Sequence, residues 1–183
     1  VERYYYGYLR DEDDGGADDK LRFVKRGAGT QWLVGSAIYH TGATLVQQGR
    51  LKLYNVDAWR SAISNASEVE FYFPGNYNMD NGTHLSGSGV YYKTGAGQCW
   101  LYNSTVNATG QFLIQAGELF NNYNACDWSG CTVDMDISAG AYLNLYADAI
   151  FCDVLTGMGT VRNTYGNAAG YSGSSAYTER LTI

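Results

Sequence analysis

The chain's 183 residues suit one domain with a sizeable core, and 45% hydrophobic against 16% charged residues excludes an intrinsically disordered segment. A net charge of -6, with twelve basic residues scattered among eighteen acids, works against nucleic acid as a partner, and no apolar run reaches the roughly 18–20 residues a membrane helix needs. Twenty-three Gly and seventeen Tyr beside a single Pro favour short strands and turns over long helices, so an all-β fold is expected.

Residues 1–10 read as an aromatic N-terminal strand. Alternation puts Tyr4, Tyr6 and Tyr8 on one face and Tyr5 and Leu9 on the other. Residues 11–20 form an acidic linker. Asp11, Asp13, Asp14, Asp18 and Asp19 offer oxygen ligands on a glycine-flexible loop, which a calcium ion would accept, although the closing glutamate of an EF-hand is absent. A solvated, self-repelling linker is the plainer reading, and no other cofactor is expected. Nine extended residues, Asp11 to Asp19, reach about 30 Å, enough to carry the first strand onto a neighbouring subunit. Residues 21–183 are the β domain. Strands are expected at Gln31–Val34, Thr44–Val46, Arg50–Tyr54 and Val69–Phe73, with Val56–Ile63 as the best short helix. Further strands follow at Cys99–Tyr102, Gln111–Gln115, Glu118–Phe120, Thr132–Ile137, Ala141–Tyr146 and Ile150–Leu155. The tail, 164–183, is rich in Gly and Ser.

The chain is a tandem duplication. Lys25–Leu51 and Lys93–Leu119 align without a gap at an offset of 68, with thirteen of twenty-seven positions identical. Leu85–Gly89 returns as Leu155–Gly159, and Ile63–Ser67 as Ile137–Ala141. The units span about 21–88 and 89–163. A gapless match through several strands and turns favours a stacked solenoid over the alternative, an antiparallel β-sandwich, and each unit of about 70 residues divides into about three coils. The repeated large residues Trp32, Leu33, Leu45, Leu51, Trp100, Leu101, Leu113 and Leu119 are the expected core.

The runs KRGAGTQWLVGSAIYHTGATLVQQGRLKL and KTGAGQCWLYNSTVNATGQFLIQAGEL resemble the autotransporter-associated β-strand repeat, also called the passenger-associated transport repeat. HLSGSGVYYKTGAG and VLTGMGTVRN are similar to its flanking element. The resemblance covers most of the chain after residue 20 and implies a right-handed parallel β-helix, exported to the cell surface and without catalytic residues. The chain departs from that family in carrying Cys and in its wealth of Tyr and Trp.

Cys99, Cys126, Cys131 and Cys152 are even in number and lack metal-ligand spacing. Cys126 with Cys131 closes a short loop and leaves Cys99 for Cys152; Cys131 with Cys152, one coil apart, is the rival pairing. Asn65, Asn81, Asn103 and Asn107 head glycosylation sequons, so covalent glycans and an extracellular or cell-surface location are expected. His40 and His84 read as solvated turn residues, and Asp134 and Asp136 as an outward pair opposite Val133, Met135 and Ile137. The expected function is therefore structural and not enzymatic. The chain would be a subunit of a surface fibre or adhesin stalk, a homo-oligomer assembled by strand donation or by end-to-end stacking, with Tyr4, Tyr5, Tyr6, Tyr8 and Leu9 at the contact. A secreted β-helix that binds or cleaves carbohydrate is the alternative.

Overall fold

The computed structural model describes residues 1–11, 20–56, 59–79, 83–121, 126–146, 150–164 and 180–182. Strands and turns account for all of them, without a helix among the described residues. The first part of the chain gives β1 (Glu2–Tyr5), β2 (Phe23–Lys25), β3 (Thr30–Val34), β4 (Thr44–Val46), β5 (Arg50–Tyr54), β6 (Ile63–Asn65) and β7 (Glu68–Tyr72). Then come β8 (Tyr77–Met79), β9 (His84–Gly87), β10 (Val90–Thr94), β11 (Gln98–Leu101), β12 (Thr105–Ala108), β13 (Gln111–Ile114) and β14 (Glu118–Asn121). The last are β15 (Asp134–Ile137), β16 (Tyr142–Asn144), β17 (Val154–Gly157), β18 (Thr160–Arg162) and β19 (Arg180–Thr182).

These strands stack into three sheets. The first runs β1-β3-β5-β7-β10-β13-β15-β17, the second β8-β11-β14-β16-β18-β19, and the third β2-β4-β6-β9-β12. Among the described residues every pairing is parallel except β18 with β19, which is antiparallel at the end of the second sheet. The fold is a parallel β-solenoid in which each strand of the first sheet marks one level. Val56–Ile63 is no helix: Ile63 opens β6, and residues 57–58 lie outside the described part.

Alternate side chains point into the lumen. Leu33, Leu53, Phe71, Lys93, Ile114 and Ile137 occupy one register position, and Leu51, Val69, Tyr91, Phe112 and Met135 another, all buried. Phe71, Tyr91 and Phe112 stack along the axis at centroid distances of 6.1 and 5.7 Å. Each buried large apolar side chain adds about 1.5–3 kcal/mol, and the column runs unbroken. Of the eight residues expected inside, Leu33, Leu51, Leu101 and Leu119 are buried, while Trp32, Leu45, Trp100 and Leu113 are only partly so. The reason is the pleat. Neighbours such as Trp32 and Leu33 cannot both face inward.

The duplication is present, but turned. Lys25 ends β2 in the third sheet, whereas Lys93 sits in β10 of the first. Trp32 lies in the first sheet and Trp100 in the second. Leu85–Gly89 makes the corner from third sheet to first, and Leu155–Gly159 the corner from first to second. An offset of 68 residues is thus three levels plus one face, not a whole number of coils. Local contacts survive the turn. Lys25 Nζ donates to the carbonyls of Arg26, Gly27 and Gln48 at 3.2, 2.6 and 2.9 Å. Lys93 Nζ donates to those of Thr94, Gly95 and Ala116 at 2.8, 2.9 and 3.1 Å. An ammonium has three donors, and each corner supplies three acceptors.

The N-terminal strand is not free for donation. β1 pairs in parallel with β3 of its own chain, from Glu2 opposite Thr30 to Tyr5 opposite Leu33. Leu9 bridges Ile38, and the Asp11 carboxylate accepts from Leu21 N at 2.9 Å and from Thr41 Oγ1 at 2.6 Å. Pairing within the chain avoids the entropy of association that a donated strand must overcome. Tyr5 donates its hydroxyl to the Tyr8 carbonyl at 2.9 Å. Residues 1–10 are therefore the first level of the solenoid and not an arm. His40 departs from expectation as well: it is fully buried, edge-on to Trp59, with Nε2 3.0 Å from Thr44 Oγ1.

Candidate functional site

The outer face of the first sheet holds the aromatic residues that the pleat turns away from the lumen. Tyr4 and Trp32 share a register position and stack at 5.1 Å with 24° between planes. Tyr54 and Tyr72, also in register, stack at 5.4 Å and 18°, and Trp32 meets both, at 6.2 and 6.1 Å. Tyr6 extends the row beside Tyr4 at 6.2 Å. Tyr4, Tyr6, Trp32, Val34 and Tyr54 line an open cleft of about 230 Å³. Tyr4 is 51% exposed and Tyr6 72%, so much of this apolar area faces solvent. Trp32 Nε1 is buried without a hydrogen-bond partner among the described residues.

Charge is cancelled along the rim. Lys52 Nζ lies 4.3 Å from the Trp32 ring centroid and 4.6 Å from that of Tyr72, and pairs with Glu70 Oε1 at 2.6 Å. Arg50 bridges Glu68 at 2.6 Å and Glu70 at 3.0 Å, with its guanidinium over Tyr92 at 4.4 Å. Thr94 Oγ1 donates to Glu70 at 2.6 Å. Burial opposes ionisation of Glu70, but Lys52, Thr94 and Arg50 outweigh it and hold the carboxyl below its usual value. The cations fix the tilt of the rings, each contact adding about 0.5–1 kcal/mol at such exposure. A second, shorter aromatic row, Trp100–Phe120–Tyr146, lies on the second sheet with spacings of 5.7 and 5.2 Å. Trp100 is the repeat mate of Trp32, on the next face.

The other expected site residues lie apart. Asp134 and Asp136 point outward while Val133, Met135 and Ile137 are buried, and Asp136 accepts from Thr156 Oγ1 at 3.0 Å. Of the calcium candidates, Asp11 is engaged by Thr41 and Leu21; Asp13, Asp14, Asp18 and Asp19 fall outside the described residues. Asn65 is fully buried and donates Nδ2 to Val90 O at 3.0 Å, which rules it out as a glycan acceptor in the folded chain. Asn103 and Asn107 are exposed, and Asn81 lies outside the described residues.

The expected disulfides are absent: all four cysteines are free thiols. Cys99 faces the lumen between Tyr77 and Leu119, and burial pushes its thiol up to about 12. More than two strand spacings, roughly 10 Å, separate it from the level of Cys152, beyond the about 7 Å limit for a disulfide. Cys126 Sγ turns instead to Leu101 O at 3.2 Å. Cys131 and Cys152 flank the neighbouring strands β15 and β17, on adjacent levels.

The aromatic face was only half legible. The excess of Tyr and Trp was visible, but Lys52, Glu70, Tyr54 and Tyr72 gave no motif. Their signal is the 18–20-residue spacing of aromatic and charged residues that one level imposes. Comparison with family models, curated proteins and solved structures returns no match for this chain.

Proposed function

We propose that the chain is a carbohydrate-binding β-solenoid, with the outer face of the first sheet as its binding platform. The observation that carries this is the aromatic row from Tyr6 and Tyr4 through Trp32 to Tyr54 and Tyr72, whose rings stack on one another beside an open cleft and leave Tyr4 and Tyr6 largely exposed. The C–H-rich face of a pyranose ring packs well against such an exposed aromatic surface, and its equatorial hydroxyls then reach polar groups at the rim. Aromatic walls with few polar groups are the usual make-up of small-ligand sites. Cation–π and ion-pair contacts hold the platform rigid before a ligand arrives, which limits the ordering cost of binding. The exposed sequons at Asn103 and Asn107 support placing the chain outside the cell, where polysaccharide is abundant.

The test is a glycan-array screen followed by calorimetry with each ligand found. Trp32→Phe with Tyr54→Ala should weaken binding at least about tenfold, a loss near 1.4 kcal/mol, while the melt stays cooperative. A double variant that binds every glycan as the parent does would refute the platform.

A fibre subunit is the second reading, through end-to-end stacking rather than strand donation. β1 and β17 are the two outer strands of the first sheet, and Phe151, Val154 and Met158 are exposed at the β17 end. Sedimentation that stays monomeric across concentration would remove this reading and leave the first intact.

A further inference from the structure

The aromatic row does not stop at Tyr72; it runs into a groove of different chemistry. Val34, Tyr54 and Tyr72 are the last residues of β3, β5 and β7, at the edge where strands of the first sheet end. From β7 onward the chain turns at that edge into the second sheet, and there the corners form a groove of about 550 Å³. Its floor is kept low by small residues, Ala96, Ala116, Gly117, Ala139 and Gly140. Gly117 has φ +67°, and a Cβ there would stand 2.5 Å from Gly95 O, so the stacking itself forbids a side chain.

The walls are polar and held in place. Glu118, only 3% exposed, accepts from Gln98 Nε2 at 2.6 Å, Asn144 Nδ2 at 2.7 Å, and Arg162 Nε and Nη2 at 2.9 and 2.7 Å. Gln98 Oε1 accepts from Trp100 Nε1 at 2.7 Å, and the Arg162 guanidinium lies 4.4 Å over the Tyr142 ring. Asn76 and Gln115 are exposed at the rim. Arg162 is balanced by Glu118, as Lys52 and Arg50 are by Glu70 and Glu68. The combined track therefore presents amides, a tyrosine and neutralised ion pairs.

We propose that cleft and groove form one track that slants along the solenoid from the first sheet to its corner, and that it binds an extended, neutral, β-1,4-linked polysaccharide with one sugar residue per level. This rests on the carbohydrate reading above and adds the form and direction of the ligand. Levels repeat every ~4.8 Å, close to the length of a β-1,4-linked pyranose. The aromatic positions, Tyr4 and Trp32 on β1 and β3 and then Tyr54 and Tyr72 two residues further along β5 and β7, step toward the hydrogen-bonding subsites at the corner. A flat all-equatorial chain offers both: apolar ring faces for the tyrosines and hydroxyls for Gln98, Gln115 and Arg162. A charged polymer would find no uncompensated partner on this track.

The test is calorimetry on the full chain with cello-oligosaccharides of two to eight residues. The parent should bind the octamer at least about tenfold more tightly than the tetramer, because the aromatic row spans only about four levels. Ala139→Trp, a bulky group at an exposed groove residue, should bind the tetramer as the parent does and lose the gain with length. Gln115→Ala, also exposed, should lose part of that gain and checks that Ala139→Trp acts by filling the groove. A parent whose tetramer and octamer bind equally, or an Ala139→Trp chain that keeps the gain, overturns the track and leaves the platform standing. No cello-oligosaccharide binding beside another glycan captured on the array likewise overturns only the track. Failure with every glycan removes both.

Discussion

Replacing Lys93 by Met removes an ammonium while keeping the length of the side chain. The three carbonyls it serves then part ways. Thr94 O still accepts from Phe73 N at 3.0 Å, whereas Gly95 O and Ala116 O lose the donors that reached them at 2.9 and 3.1 Å. Lys93 is fully buried and Gly95 and Ala116 are half-buried, so water replaces the ammonium less readily than at an exposed corner. Each orphaned acceptor costs about 1–3 kcal/mol, and relief of the desolvated charge returns part of that. The relief is real, because burial pulls the Lys93 ammonium down to about 8. A net loss of about 3 kcal/mol is expected. Lys25→Met is the control: Arg26, Gly27 and Gln48 are exposed, and solvent replaces the ammonium there for under about 1 kcal/mol. Urea unfolding followed by tryptophan fluorescence measures both. Equal losses in the two variants, or less than about 1 kcal/mol for Lys93→Met, would refute the argument that the buried corner depends on its lysine.

Two further outcomes follow from the same geometry. Gly117→Ala meets Gly95 O at 2.5 Å and should cost about 3 kcal/mol, whereas Gly140→Ala, with φ +81° and nothing within 4 Å, should show only the about 1–2 kcal/mol of a left-handed alanine; similar denaturation midpoints would contradict this. Burial lowers the pKa of His40, and Asp11 only partly opposes that, so below the ordinary value of 6.5 the unfolded chain takes up a proton that the folded chain refuses. Stability should then fall as pH drops from about 7 to 5, above the range in which Asp11 and Glu70 titrate, and His40→Gln should flatten that limb; a parent curve already flat there would count against a neutral buried imidazole.

The parallel stack was legible because period-two alternation and a gapless duplication leave few alternatives. Which alternate residue faces the lumen was not. Trp32-Leu33 and Trp100-Leu101 both offer two large apolar neighbours, and only the in-register partners above and below decide that leucine goes in. A lumenal Lys93 runs against expectation, because lysine is almost never fully buried unless its ammonium is paired. Its recurrence in front of the same Gly-Ala-Gly turn was the available signal. The first strand departs from its expected role for a different reason. Sequence shows that a segment wants a partner strand but not whose, and the nearest unpaired edge was that of its own β3. The aromatic platform needed four levels to be superposed before its members met, which no local window reveals.

Because each copy of the unit advances by three levels and one face, the operation relating the two copies is a screw: about 120° of rotation with roughly 16 Å of travel along the axis. Duplicating such a unit copies its surface around the circumference instead of along one side. Trp32 and Trp100 accordingly look out in different directions, and a third copy added in frame would carry the lysine corner to the remaining edge. Only a fourth copy would restore the first orientation. Growth by whole units would thus wind any inherited surface property into a helix about the shaft.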